Sequence, residues 1–202
     1  MGPSRHLPFA GSSVHQTLAA LAYAVEQHAG QRRDGDGAPF VLHPIEVATL
    51  LAEAGAPDHV VAAGVLHDTV EKTSADPEDL CKRFGPHITA LVMALSEDPG
   101  ISGYGARKAA LCDQVRAAGD EALMVFAADK VSKARELRLA FATSSRPPSL
   151  RRGSGPQRKL AHYRHCAEVL EERMADYPLV QILRHELAEL ALSEQAALVG
   201  AH

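Results

Sequence analysis

The chain reads as an all-α, single-domain bundle of about nine helices. Three features of its 202 residues predict this. Apolar residues recur at three- and four-residue steps through most of the chain. Glycine and proline clusters cut that pattern into lengths typical of globular helices. No stretch shows the apolar–polar alternation of a half-buried strand; at most a short hairpin forms around Phe40-Val41-Leu42.

Residues 1–13 read as a flexible leader. From Val14 the helical pattern starts, with Leu18, Leu21, Ala22 and Val25 on one stripe. The run from Gly30 to Pro39 is a loop of Gly, Asp and Pro. His43-Pro44 opens a second helix with proline in its first turn, and Gly55-Ala56-Pro57 closes it. Asp58 is expected to cap a third helix. Its Val60, Val61, Ala62, Ala63, Val65 and Leu66 leave little polar face, so it should be buried on most sides. Ser74 to Pro77 reads as a capped turn. A short helix to Phe84, a break at Gly85-Pro86 and a helix from His87 to Ser96 follow. After a loop over 97–105 come helices over 106–117 and 119–143. The segment 144–157, SSRPPSLRRGSGPQ, is a solvated linker or a flap that contacts phosphate. Helices over 158–175 and 179–198 complete the chain. The expected organisation is a core over 14–143 with the C-terminal part, 158–202, packed on it.

Twenty-one Lys and Arg against 25 Asp and Glu give a formal charge of −4. That balance argues against a broad grip on nucleic acid or an anionic membrane. Aromatic residues are 4% and Trp is missing, which disfavours a base-stacking platform. No apolar run is long enough to span a bilayer, and the first residues lack the apolar stretch of a secretory signal. Cys81, Cys112 and Cys166 show no C-x-x-C spacing and fit free thiols in a reducing cytoplasm. Eleven histidines are many for this length and direct attention to metal chemistry.

Four residues stand out: His43, the pair His67-Asp68, and Asp129. His67-Asp68 closes a run of Val, Ala, Gly and Leu, and Asp129 closes Ala122-Leu-Met-Val-Phe-Ala-Ala128. An aspartate after such a stretch is costly unless it is paired or bound to a cation. Two imidazoles and two carboxylates suit Mn²⁺, Fe²⁺, Zn²⁺ or Co²⁺ better than Ca²⁺. Singly, each has an ordinary explanation as a core histidine, a chance dipeptide or a helix ion pair. The remaining histidines at 15, 28, 59, 87, 162, 165 and 185 lack an acidic partner pattern and read mostly as surface or packing residues. Glu71, one turn beyond His67, is expected on the same helix face. Tyr104 either stacks on a ligand or closes its glycine loop over the core. Arg107 and Lys108 open a helix, where the dipole disfavours cations, which points to an anion nearby.

The ordered set resembles the HD-domain metal phosphohydrolases, in particular the alarmone hydrolases: the hydrolase half of the Rel/Spo enzymes and the single-domain metazoan type. The stretches that carry the resemblance are Ala29-Gly-Gln-Arg-Arg33, Gly37-Ala-Pro-Phe-Val-Leu-His43-Pro-Ile-Glu-Val-Ala48, Leu66-His-Asp-Thr-Val-Glu71, Phe84-Gly85 and Ala128-Asp-Lys-Val131. The resemblance implies that His43, His67, Asp68 and Asp129 ligate a metal, usually Mn²⁺, and that Glu71 works beside it with Asp68. It places Arg32 and Arg33 around a nucleotide base and sugar, with Lys130 a further candidate for the phosphates. The implied reaction is hydrolysis of the 3′-pyrophosphate of guanosine tetra- or pentaphosphate. Alternatives are a phosphatase for another phosphorylated nucleotide or dinucleotide cofactor, and a catalytically weak nucleotide sensor. A synthetase domain is not expected; a homodimer is an open possibility. A zinc peptidase is excluded for want of H-E-x-x-H.

Two positions depart from the family pattern. Lys72 stands where an Asp is common after Glu71, and Lys133 stands where an Asn is usual four residues after Asp129. Each places an ammonium four residues after a carboxylate, Asp68 and Asp129 respectively. These are either two helix ion pairs or, with the carboxylates committed to a metal, a cationic clamp for additional phosphate charge.

Overall fold

Residues 14–33, 36–143 and 155–199 are described by a computed structural model. The expected leader over 1–13 and most of the segment 144–157 lie outside them. The helices are α1 (His15–Gln27), α2 (Leu42–Glu53), α3 (Asp58–Leu66), α4 (Thr69–Lys72), α5 (Pro77–Leu95), α6 (Tyr104–Ala118), α7 (Asp120–Thr143), α8 (Gly155–Met174) and α9 (Pro178–Val199). Among the described residues there is no strand. The expected hairpin reduces to one antiparallel bridge, Arg32 to Pro39, with Arg33 N–H donating to Ala38 O and Phe40 N–H to Gln31 O.

Helix α7 is the axis of the bundle and packs against α2, α3, α5, α6, α8 and α9. Its Ala122, Leu123, Val125, Phe126, Ala127, Ala128 and Val131 are all fully buried. That nearly all-round burial explains why its apolar pattern is so wide and why polar groups on it need internal partners. Helix α3 is buried in the same way and approaches α2 so closely that a Cβ at Gly64 would collide with Leu51 Cδ1. α5 is two helical pieces joined at Gly85, whose φ of 81° suits glycine, followed by Pro86. Asp76 caps its start by accepting from Glu78 N–H at 3.0 Å. The C-terminal helices close the bundle: buried Glu186 of α9 accepts from Arg135 Nε at 2.9 Å and Arg138 Nε at 2.8 Å.

Two expectations need correction. Asp58 does not cap α3, which starts from Pro57 in an extended conformation. Asp58 sits at the first helical position, so its carboxylate is free to reach sideways to α1. It accepts from Gln16 N–H at 3.1 Å, Thr17 N–H at 3.3 Å and Thr17 Oγ1 at 2.6 Å. Val14 offers α1 no side-chain cap of its own, so α3 supplies the missing acceptor. Second, His67 and Glu71 are not on one continuous helix. α3 ends at Leu66, and α4 begins at Thr69 after a turn at His67-Asp68.

Replacing Asp58 by Ala should therefore destabilise the fold by about 1–2 kcal/mol, the range for loss of an N-cap. The check is the urea midpoint; an unchanged midpoint would show that α1 needs no cap from α3.

Candidate active site

His43 lies in the first turn of α2, His67 and Asp68 at the α3–α4 junction, and Asp129 in the middle of α7. The fold brings all four together, and all are buried. His43 Nε2 is 3.2 Å from His67 Nε2 and 3.2 Å from Asp129 Oδ1, and His67 Nε2 is 3.4 Å from that oxygen. Asp68 Oδ2 is 3.5 Å from both imidazole Nε2 atoms. Ligands about 2.1 Å from one ion, at tetrahedral or octahedral angles, stand about 3.0–3.4 Å apart. Asp68 Oδ2 and Asp129 Oδ1 are buried and make no directed hydrogen bond. Two inward-facing carboxylate oxygens and two facing imidazole nitrogens fit the donor set of a divalent cation.

The outer nitrogens are engaged. His67 Nδ1 lies 2.8 Å from Gly64 O, and His43 Nδ1 lies 2.9 Å from Ser132 Oγ, which in turn donates to Glu46 Oε2 at 2.8 Å. An acceptor at Nδ1 places the proton there and leaves the Nε2 lone pair facing the centre. Ser132 and Glu46 were not singled out from the sequence. The signal was the spacing, since each lies three residues after an inward ligand, Asp129 and His43 respectively.

The electrostatics call for positive charge at the centre. Burial alone would raise the Asp68 carboxyl, but Lys133, His67, Lys72 and His43 hold it well below the usual carboxylate range. Burial likewise opposes ionisation of Asp129, and Lys130 and Lys133 override it. His43 is pushed down by burial and stays neutral near pH 7. For His67 burial is outweighed by the two carboxylates, which raise it. Lys130 Nζ bonds Asp129 Oδ2 at 2.6 Å and lies over the Phe126 ring. Lys133 Nζ lies 2.7 Å from Asp129 Oδ1, without hydrogen-bond alignment. One of the two expected ion pairs is thus present. The other is not: Lys72 N–H donates to Asp68 O at 2.9 Å in helical register, but its Nζ turns away, 3.7 Å from Glu71 Oε1 and 5.7 Å over the Phe40 ring.

The cluster forms the floor of a cavity of about 710 Å³. Arg32, Arg33, Lys72, Lys130 and Lys133 all line it, with Lys108 and Lys159, against the carboxylates of Asp68, Glu71, Glu97, Asp129 and Glu136. The lining is cationic in a chain that is acidic overall. Arg32 donates to Gly37 O at 2.8 Å, and Arg33 is paired with Asp36, so the bridged loop holds both at the rim. Glu71 Oε2 accepts from Glu97 N–H at 3.2 Å, which fixes its carboxylate at the cavity wall. The anion expected beside Arg107 and Lys108 is the chain's own Glu97, which pairs with both. Tyr104 lines the cavity, with Lys108 and Arg158 near its ring. His59 and His87 do have an acidic partner, since Glu121 takes one on each oxygen at 2.8 and 2.7 Å. That pairing joins α3, α5 and α7 and has no local spacing to reveal it.

A family model described as HD domain matches residues 20–153. The human guanosine-3′,5′-bis(diphosphate) 3′-pyrophosphohydrolase MESH1 is 37% identical over 130 residues, covering 63% of this chain and 72% of that protein. A GTP pyrophosphokinase of Streptomyces coelicolor is 43% identical over 81 residues, but the match covers only 9% of that longer protein. A solved structure, described as a metazoan ortholog of SpoT that hydrolyzes ppGpp, superposes with a TM-score of 0.76 at 25% identity, over 91% of this chain and 99% of that one. The lmo0812 protein of Listeria monocytogenes superposes with a TM-score of 0.62 at 26% identity, over 72% of this chain and 90% of that one. With its two-histidine, two-aspartate cluster in the matched segment, the chain belongs to the HD-domain family of hydrolases.

Proposed function

We propose that the chain is a divalent-metal-dependent hydrolase that removes the 3′-pyrophosphate of guanosine 3′,5′-bis(diphosphate). The observation that carries this reading is the buried pair of carboxylate oxygens facing two imidazole Nε2 atoms at the floor of a cationic cavity. His43, His67, Asp68 and Asp129 would hold the ion, with Mn²⁺ the first choice for a mixed N/O set. When bound, such an ion lowers the pKa of water and offsets charge on phosphoryl oxygens. Similarity to the human 3′-pyrophosphohydrolase supports the substrate.

The chain's own residues supply the rest. Glu71 is held at the wall beside Asp68, where it takes a proton from the attacking water, a role typically worth about 10²–10⁴-fold. Attack at the phosphorus next to the 3′ oxygen breaks that ester bond. The water oxygen stays on the released pyrophosphate, and the 3′ hydroxyl regains a proton. Lys130 is committed to Asp129 and balances its charge. With a divalent ion held by Asp129 Oδ1, Lys133 would be released from that oxygen and, with Lys72, would be free to clamp phosphate. Arg32 and Arg33 stand at the rim, suited to the base and sugar. The three cysteines are free thiols, which supports a cytoplasmic setting.

The direct test incubates Mn²⁺-loaded protein with a nucleotide panel and scores pyrophosphate against orthophosphate. Pyrophosphate from the guanosine bis(diphosphate) is expected, and its loss in His67→Ala and Asp68→Ala. Orthophosphate from another nucleotide would replace this substrate, and nucleotide binding without turnover would leave only a sensor. Ser132→Ala, which frees His43 Nδ1, should weaken Mn²⁺ binding by about 10–100-fold in a metal titration. Lys72→Asp combined with Lys133→Asn should raise KM for the tetraphosphate by roughly tenfold or more, the size of a lost charged hydrogen bond. An unchanged KM removes the clamp.

A further inference from the structure

A second cluster of metal-ligating side chains lies outside the hydrolytic centre. Cys112 on α6 and His162 and Cys166 on α8 are all buried, and one ligand atom from each lies within 4.8 Å of the others. His162 and Cys166 are one helical turn apart and lie beyond the residues matched by the family model. We propose that Cys112, His162 and Cys166 form a zinc site that ties α8 to α6.

The distances carry the proposal. Cys112 Sγ and Cys166 Sγ are 3.9 Å apart, and Cys166 Sγ is 3.5 Å from the His162 ring nitrogens. Two sulfurs at about 2.3 Å from one zinc, at a tetrahedral angle, are separated by roughly 3.8 Å, and a sulfur and an imidazole nitrogen by roughly 3.6 Å. The sulfurs are almost twice as far apart as the ~2.05 Å of a disulfide, so the pair stands at ligand spacing rather than bonding distance. Buried cysteines pass as small apolar side chains, but a buried imidazole beside two sulfurs adds a third metal-ligating group to the same spot.

Donor chemistry selects the ion. Two thiolates and an imidazole, with no carboxylate in the cluster, are a soft set that suits zinc and disfavours Mn²⁺ or Mg²⁺. Binding releases one proton from each thiol to the buffer and involves no change in oxidation state. Zn²⁺ with two thiolates and a neutral imidazole carries no net charge, which a buried site tolerates. The fourth position falls to a solvent molecule.

Cobalt is the probe, because sulfur-to-cobalt charge-transfer absorption arises only from thiolate ligation and ignores the histidine–aspartate centre. Full-length, metal-stripped, reduced protein is titrated with Co²⁺. The expected result is a charge-transfer band that reaches a plateau, whatever the hydrolytic centre also takes up, and is bleached by Zn²⁺. It should be retained in Cys81→Ser and lost in Cys112→Ser and Cys166→Ser. No band in the reduced wild-type protein, or a band that survives in either serine variant, overturns the site. Should the serine variants fail to fold, alkylation of wild-type protein in mild urea decides. Zinc should slow labelling of Cys112 and Cys166 but not Cys81, and equal slowing or none overturns it.

Discussion

Asp129 is ionised in the fully buried middle of the central helix, and most of what surrounds it answers that one cost. Bringing a carboxylate out of water costs several kcal/mol even after relaxation. Both of its oxygens have an ammonium within 2.7 Å, Lys130 on Oδ2 and Lys133 on Oδ1. Asp68 adds a second buried carboxylate 3.5 Å from the same imidazoles. The raised affinity of His67 for a proton has the same origin, since two carboxylates and one neutral imidazole draw positive charge to the point they share. A proton, an ammonium and a divalent ion compete for that point. Only the divalent ion satisfies all four inward atoms at once.

Holding that point in place is the work of the helices around it. α7 carries Asp129 and Ser132 on a run of alanines and valines that lets α2 and α3 approach closely. Gly64 permits the α2–α3 approach, and its carbonyl orients His67. α2 delivers His43 and Glu46 one turn apart, so Ser132 closes a chain from imidazole to carboxylate across the α2–α7 interface. The ligands are thus oriented by backbone and side-chain acceptors on rigid elements, which fixes Nε2 as the inward atom on both rings.

The sequence made the fold class and the four-residue cluster legible for a common reason: both are written in local patterns. Apolar steps of three and four, Gly85-Pro86 and the polar residues that close apolar runs need no knowledge of tertiary contacts. Features set by packing across helices could not be read this way. Asp58 looks like a cap for its own helix, and only the placement of α1 beside α3 turns it outward. Glu121 lies 62 residues from His59 and 34 from His87, so no spacing rule joins them. Lys72 follows Asp68 by four residues in helical register, yet its ammonium turns to Glu71 and the Phe40 ring instead. Arg107 and Lys108 pointed correctly to an anion, and the anion is Glu97 of the preceding loop.

Two compact clusters sit on opposite sides of Lys130 in charge terms: nitrogen and oxygen donors through Asp129, and sulfur and nitrogen donors near Cys112 and Cys166, whose thiols feel the same ammonium. The difference in donor hardness divides their chemistry. Carboxylate and imidazole ligands leave a divalent ion enough positive charge to act on water and phosphoryl oxygen. Thiolates offset that charge, so a zinc held by Cys112, His162 and Cys166 carries less of it and ties α6 to α8. The hard set forms the floor of the cavity where a polyanion is received, and the soft set lies between α6 and α8, with His162 reaching the cavity wall. Donor type, not distance, therefore decides which ion each cluster takes, because both gather their atoms within the reach of a single ion.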